Sequence, residues 1–114
     1  MQKVTIGIDI GGTGTKFGLV DMDGNVLFQD KIDTAAYKEF DQYIDALSAK
    51  IKATMADYTS DYDLIGIGVG APFGNYFTGS INYASNLPWK GILPVADLLT
   101  AQFGVPTVVS NDAN

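Results

Sequence analysis

The sequence predicts an α/β domain folded around a single sheet, in the element order βββαβαβ. Three observations carry this: apolar alternation broken by glycine turns in the first third, one helical stripe in the middle, and two later apolar strand segments separated by a second helix.

Val4, Ile6 and Ile8 alternate up to a glycine-rich turn, and Phe17, Leu19 and the run Val26, Leu27, Phe28 follow it, giving strands over 3–10, 15–21 and 25–32. Asp23-Gly24 between the second and third is a hairpin signal. Asp21-Met22-Asp23-Gly24 lacks the spaced later ligands and closing Glu of a calcium loop, so it reads as a turn. Over 37–57, Phe40, Tyr43, Ile44, Leu47, Ile51 and Met55 recur at three- and four-residue steps, which makes one face of a helix and a core stripe. Leu64 to Gly70 is a buried-strand pattern whose alternate glycines leave one face flat, open to a helix, another backbone or a ligand. Gly66-x-Gly68-x-x-Ala71 has the spacing of a dinucleotide fingerprint, but it lies inside that strand. Pro72 and Gly74 follow where a helix should begin, which excludes a Rossmann site. Residues 71–93 form a long loop, a helix is expected over 94–103, and a last strand over 107–110 leads into Asn111-Asp112-Ala113-Asn114.

Composition narrows the function classes. With 114 residues there is room for one domain and a real core, and little room to enclose two substrates. A hydrophobic fraction of 46% argues against disorder. The net charge of −6, with seven Lys and no Arg, is opposite in sign to a nucleic-acid surface. The absence of Cys and His removes disulfides, zinc sites of the usual ligand types and every Ser-His or Cys-His nucleophile. Met1-Gln2-Lys3 runs straight into a strand without a signal-peptide core, and no apolar span reaches membrane length. A cytoplasmic protein without a membrane partner is expected.

Asp9-Ile10-Gly11-Gly12-Thr13-Gly14-Thr15-Lys16 joins strand to strand through bare backbone N–H groups and hydroxyls, with an acid at the first strand's end. That chemistry suits a metal-bound polyphosphate. It is no P-loop, since the order Gly-Lys-Ser/Thr leading into a helix is absent. The same glycines would equally serve a tight turn at positive φ. In the long loop, Gly74-Asn75, Gly79, Asn82, Ser85-Asn86 and Trp89 bring amide, hydroxyl and aromatic groups together, which suits a polyol such as a sugar and also an ordinary solvated loop. Asp112, after a buried strand, is either a helix cap or a general base.

Four motifs in order now stand together: Asp9 through Lys16, Gly68-Val-Gly-Ala-Pro72, Ser85-Asn-Leu-Pro-Trp89 and Asn111-Asp-Ala-Asn114. Together they resemble the N-terminal domain of the ROK family of sugar kinases and sugar-responsive repressors, over essentially the whole chain. The resemblance implies an RNase H-like, actin-like ATPase domain: a five-stranded mixed sheet, three strands antiparallel and two more parallel, with helices packed on it.

It also implies a glucokinase-like reaction, transfer of the γ-phosphate of ATP to a hexose. Asp112 would be the catalytic base and Asp9 would help to position Mg²⁺. Gly11, Gly12, Thr13, Thr15 and Lys16 would face the phosphates, and Gly79, Asn86, Asn111 and Asp112 would hold the sugar hydroxyls. Leu87 and Trp89 would wall the cleft. Gly14, where many ATP-using relatives carry Asn, resembles the polyphosphate-using members. The family's second domain, with its adenosine pocket and zinc motif, is not in this sequence, so 1–114 reads as an N-terminal fragment, inactive by itself, whose uncovered apolar surface would allow dimers. The alternative reading is the sugar-sensing domain of a ROK repressor. Family repressors carry a helix-turn-helix ahead of this domain, for which Met1-Gln2-Lys3 leaves no room, and a pure sensor needs no base.

Overall fold

The computed structural model describes residues 2–56, 62–85 and 87–111. Its main sheet has five strands: β1 (Gln2–Ile10), β2 (Gly14–Asp21), β3 (Val26–Asp33), β4 (Tyr62–Ala71) and β8 (Thr107–Asn111), in the spatial order β3-β2-β1-β4-β8. β1 pairs antiparallel with β2, and β2 with β3, while β4 runs parallel to β1 and β8 parallel to β4. The mixed sheet that the resemblance implies is therefore the sheet observed.

Helix α1 (Phe40–Met55) follows a 3₁₀ turn at Thr34–Ala36, which Asp33 caps by accepting from the Ala35 N–H at 3.1 Å. Helix α2 (Val95–Phe103) ends at Gly104, which takes the left-handed conformation at φ 71°. Each helix links two parallel strands, and both links step the same way across the sheet. Right-handed crossovers then place both helices on one face. They touch there, with Gln102 Nε2 donating to Asp45 Oδ1 at 3.0 Å.

Strand alternation supplies the matching apolar surface. Ile6, Ile8, Phe17, Leu19, Ile67, Val69 and Val109 point to the helices and are buried with Tyr43, Ile44, Leu47, Ile51 and Leu99. The opposite face is nearly featureless. Gly18, Gly7 and Gly68 stand in register on three adjacent strands, and a Cβ at Gly7 or Gly68 would meet nothing within 4 Å. The flat strand face seen in the sequence is therefore turned away from both helices.

The 71–93 segment is more ordered than a loop. It folds into a small three-stranded sheet of β5 (Gly74–Asn75), β6 (Ser80–Asn82) and β7 (Ile92–Leu93). Strands of two or three residues carry no readable periodicity, which is why the sequence showed only turn chemistry.

Candidate active site

The carboxyl ends of the three parallel strands share one edge of the sheet, where open α/β sheets bind ligands. Asp9 lies opposite Gly70 and Ala71 opposite Asn111. With strands spaced by about 4.8 Å, Asp9 and the end of β8 are about 10 Å apart across β4.

At this edge the chain turns from β1 into β2 through residues 11–14, closed by the Gly11 N–H donating to the Gly14 carbonyl at 3.0 Å. Neither Gly11 nor Gly14 uses a positive φ, so left-handed backbone is not what calls for glycine at these positions. What Gly11 needs is closeness: a Cβ there would lie 2.9 Å from the Gly14 carbonyl oxygen. Gly12 and Thr13 follow at the tip, Thr13 with its side chain exposed.

Alternation sorts the rest of the motif. Asp9 and Lys16 are cross-strand partners, both exposed, and line one shallow groove of about 360 Å³ over the glycine face. Lys16 also stands opposite Lys31 of β3. Two like charges in register are unfavourable alone and suit a polyanion lying beside the turn. Thr13 and Gly14 border a second cleft of about 530 Å³ on the other side, with Lys31, Asp33 and Lys50.

Thr15 departs from its expected role. It faces inward between the outward Gly14 and Lys16, is fully buried, and its hydroxyl is engaged by Thr34 at 2.8 Å and by the Tyr43 hydroxyl at 2.6 Å. Burial pushes the Tyr43 phenol well above its ordinary range, partly offset by the Thr15 hydrogen bond. Thr34 fixes the turn again by donating its backbone N–H to the Thr13 carbonyl at 3.0 Å. The side chain of Thr15 thus anchors the turn from behind instead of facing a phosphate.

Gly79 sits at φ 65° in the tongue between β5 and β6. Its N–H donates to the Asn75 carbonyl and its carbonyl accepts from Ala96, both at 2.9 Å. A Cβ would lie 2.7 Å from that of Ala96, so Gly79 seats the tongue on α2, with its N–H already committed. Asn75 and Asn82 are also engaged locally: Asn75 Oδ1 accepts from the Phe77 and Thr78 amides, and Asn82 Oδ1 accepts from the Ser80 hydroxyl. Asn111 is exposed at the end of β8, on the shared edge. Asn86 and Asp112 lie outside the described residues.

Trp89, expected to wall the cleft, is only 4% exposed. Its ring packs against that of Tyr43 at 4.4 Å between centroids, tilted by 39°, and meets Phe40 edge-on at 5.2 Å, and its indole N–H donates to the Tyr37 carbonyl at 3.0 Å. Leu87 is buried beside it. Sequence reasoning missed Thr34 and Tyr43 as supports of the turn. A Tyr on a helical stripe whose other members carry no polar atom that hydrogen-bonds strongly was the available signal, because a buried phenol needs a partner.

Among the described residues, no group of three or more acidic, His or Cys side chains gathers into a metal cage. A single strand-end carboxylate beside the 11–14 turn would fit Mg²⁺ if a phosphate chain lay there, since that ion takes one or two carboxylates and completes its shell with phosphate oxygens and water. Among those residues, too, no helix is long and apolar enough to cross a membrane.

The family model "ROK family" matches residues 5–114. The glucokinase of Streptomyces coelicolor is 32% identical over 112 residues, covering 97% of this chain and 33% of that protein. A crystal structure of a ROK family glucokinase from Streptomyces griseus, in complex with glucose and AMPPNP, superposes with a TM-score of 0.74 at 33% identity, covering 97% of this chain and 34% of that one. A ROK family transcriptional regulator, homologue of the E. coli MLC protein, superposes with a TM-score of 0.82 at 21% identity over 98% of this chain and 28% of that one, a likeness of fold alone. The chain spans about a third of the length of the curated relatives it matches. By sequence, and with a sheet and helices shared with these actin-like ATPase-fold proteins, the chain belongs to the ROK family.

Proposed function

We propose that this chain is the N-terminal, phosphate- and sugar-facing part of a sugar kinase that transfers the γ-phosphate of ATP to a hydroxyl of a glucose-like hexose. The observation that carries this reading is the shared edge: Asp9, the 11–14 turn and Asn111 stand together at the carboxyl ends of parallel strands. The likeness to glucokinases above 30% identity supports the substrate class.

In this reading the N–H groups at Gly12 and Thr13, with the Lys16 ammonium, receive the phosphate chain, and Asp9 holds Mg²⁺, mostly through water. When bound, Mg²⁺ neutralises the phosphate charge. Asn111 orients the sugar by donating and accepting at neighbouring hydroxyls, with Asn86 as its counterpart. Asp112 takes the proton of the attacking hydroxyl. A carboxylate suffices as base because the proton leaves late, once charge has spread over the transferring phosphoryl group. Gly14 in the turn keeps inorganic polyphosphate as an alternative donor.

The test is a coupled hexose 6-phosphate assay on the intact gene product, with ATP and polyphosphate as donors, beside its Asp112→Asn variant. The expected result is glucose phosphorylation that drops by about 10²–10⁴-fold in the variant while glucose binding persists. Sugar binding with no transfer from either donor would overturn the kinase and leave the sensor domain of a repressor.

A further inference from the structure

Behind the 11–14 turn a continuous chain of contacts leads to the far end of the 85–89 segment. It starts at the Thr15 hydroxyl, the centre of two short hydrogen bonds to Thr34 and Tyr43. It continues through the Tyr43 ring to Trp89 at 4.4 Å, and from the Trp89 indole N–H to the Tyr37 carbonyl. Thr15, Thr34 and Tyr43 are fully buried and Trp89 nearly so, so no water is at hand to replace a lost partner.

From this we infer that Tyr43 is a positioning residue: its hydroxyl holds the turn and its ring holds Trp89, so that a phosphate chain seated on the turn is registered at the segment expected to carry the sugar. The inference rests on the phosphate reading of the turn. Its physical basis is the stiffness of close-packed interiors, which transmit small shifts instead of absorbing them. Gly14 and Lys16 flank Thr15 directly, so drawing the turn toward an anion moves the Thr15 hydroxyl. Tyr43 must then follow or lose its partner. A single buried hydroxyl, able to accept from one neighbour and donate to the other, makes this a specific link where an aliphatic contact would slide. The relay gives the site a way to set both substrates in one register, which transfer between bound groups requires.

Trp89 is the chain's single tryptophan, so its indole N–H gives one resonance that reports the far end. The ¹⁵N-labelled chain is titrated with magnesium tripolyphosphate, following the Gly11, Gly12 and Gly14 amides at the near end. In the unmodified chain both ends shift together. In Tyr43→Phe, which keeps the ring and removes the hydroxyl, the amides still shift and the indole response is lost. Thr15→Val repeats that loss and Thr15→Ser restores the response, which keeps the test open if one variant fails to fold. An indole response of equal size in Tyr43→Phe and Thr15→Val overturns the relay, as does an indole that stays still while the amides move. Still amides at saturating tripolyphosphate reject the phosphate reading of the turn itself, and the relay falls with it.

Discussion

At the residue scale, burial and hydrogen bonding decide which polar groups matter. Asp21 closes β2 and is held by four donors: the backbone N–H groups of Asp23 and Asn25, the Asn25 amide and the Gln2 amide. The Asn25 backbone N–H above all draws its carboxyl below the ordinary range. A carboxyl with a depressed folded pKa stabilises the fold above its unfolded value, about 3.9, and that contribution is lost as pH falls through the lower folded value. Urea midpoints should therefore drop below about pH 4, and Asp21→Asn should flatten part of that drop. Tyr43 has the opposite sign. Its raised folded pKa protects the fold below about pH 10, and that stability is lost at higher pH as the unfolded phenol ionises. Tyr43→Phe should remove this group's share of the alkaline sensitivity and cost about 1 kcal/mol at neutral pH for the lost hydrogen bond. Two glycines give a matched pair. Gly11→Ala forces a Cβ onto the Gly14 carbonyl and should lower thermal stability, while Gly7→Ala meets open space and should leave it nearly unchanged.

At the element scale, what the sequence shows depends on whether an element's period is long enough to read. α1 was legible from six apolar residues on one face, and all six are buried. β1, β2 and β4 were legible because two-residue alternation runs through each. Asp9 and Lys16, read singly from the motif, stand opposite each other because a hairpin pairs its flanks. Thr15 was misassigned because the same alternation, followed one residue further, turns its side chain inward. The tongue of β5 and β6 was illegible: its Asn and Ser side chains bond within the tongue, and a polar residue spent on its own turn looks in sequence like one offered to a ligand. Gly74 carries a second consequence. A Cβ there would run into the Ser110 carbonyl on β8, so Gly74→Ala should push the tongue off the end of that strand. Increased amide exchange at Ile81 and Ser110, with Ile44 and Leu47 unchanged, would report this.

At the scale of the whole molecule, one face of the sheet is covered and the other is bare. α1 and α2 bury the first, while Gly7, Gly18 and Gly68 leave the second smooth, with Val108 and Val26 about half exposed beside it. The edge that carries the candidate site shows the same one-sidedness, since Asp9, Lys16 and Asn111 are all exposed and the grooves beside the turn are shallow. Phosphoryl transfer depends on placing donor and acceptor in line and on keeping water from the reacting groups, and an open edge does the first only in part and the second not at all. The curated relatives are about three times as long, this chain covering 33% of the first of them. The 114-residue chain should therefore bind glucose no more tightly than the millimolar range, about −4 kcal/mol, because contacts come from one side while the full association cost remains. It should form no hexose phosphate above background with ATP or polyphosphate. Titration calorimetry for binding and a coupled assay for turnover, run beside the Streptomyces coelicolor glucokinase, decide the matter. Turnover by the 114-residue chain would show that the open edge suffices, and the need for closure would then be wrong.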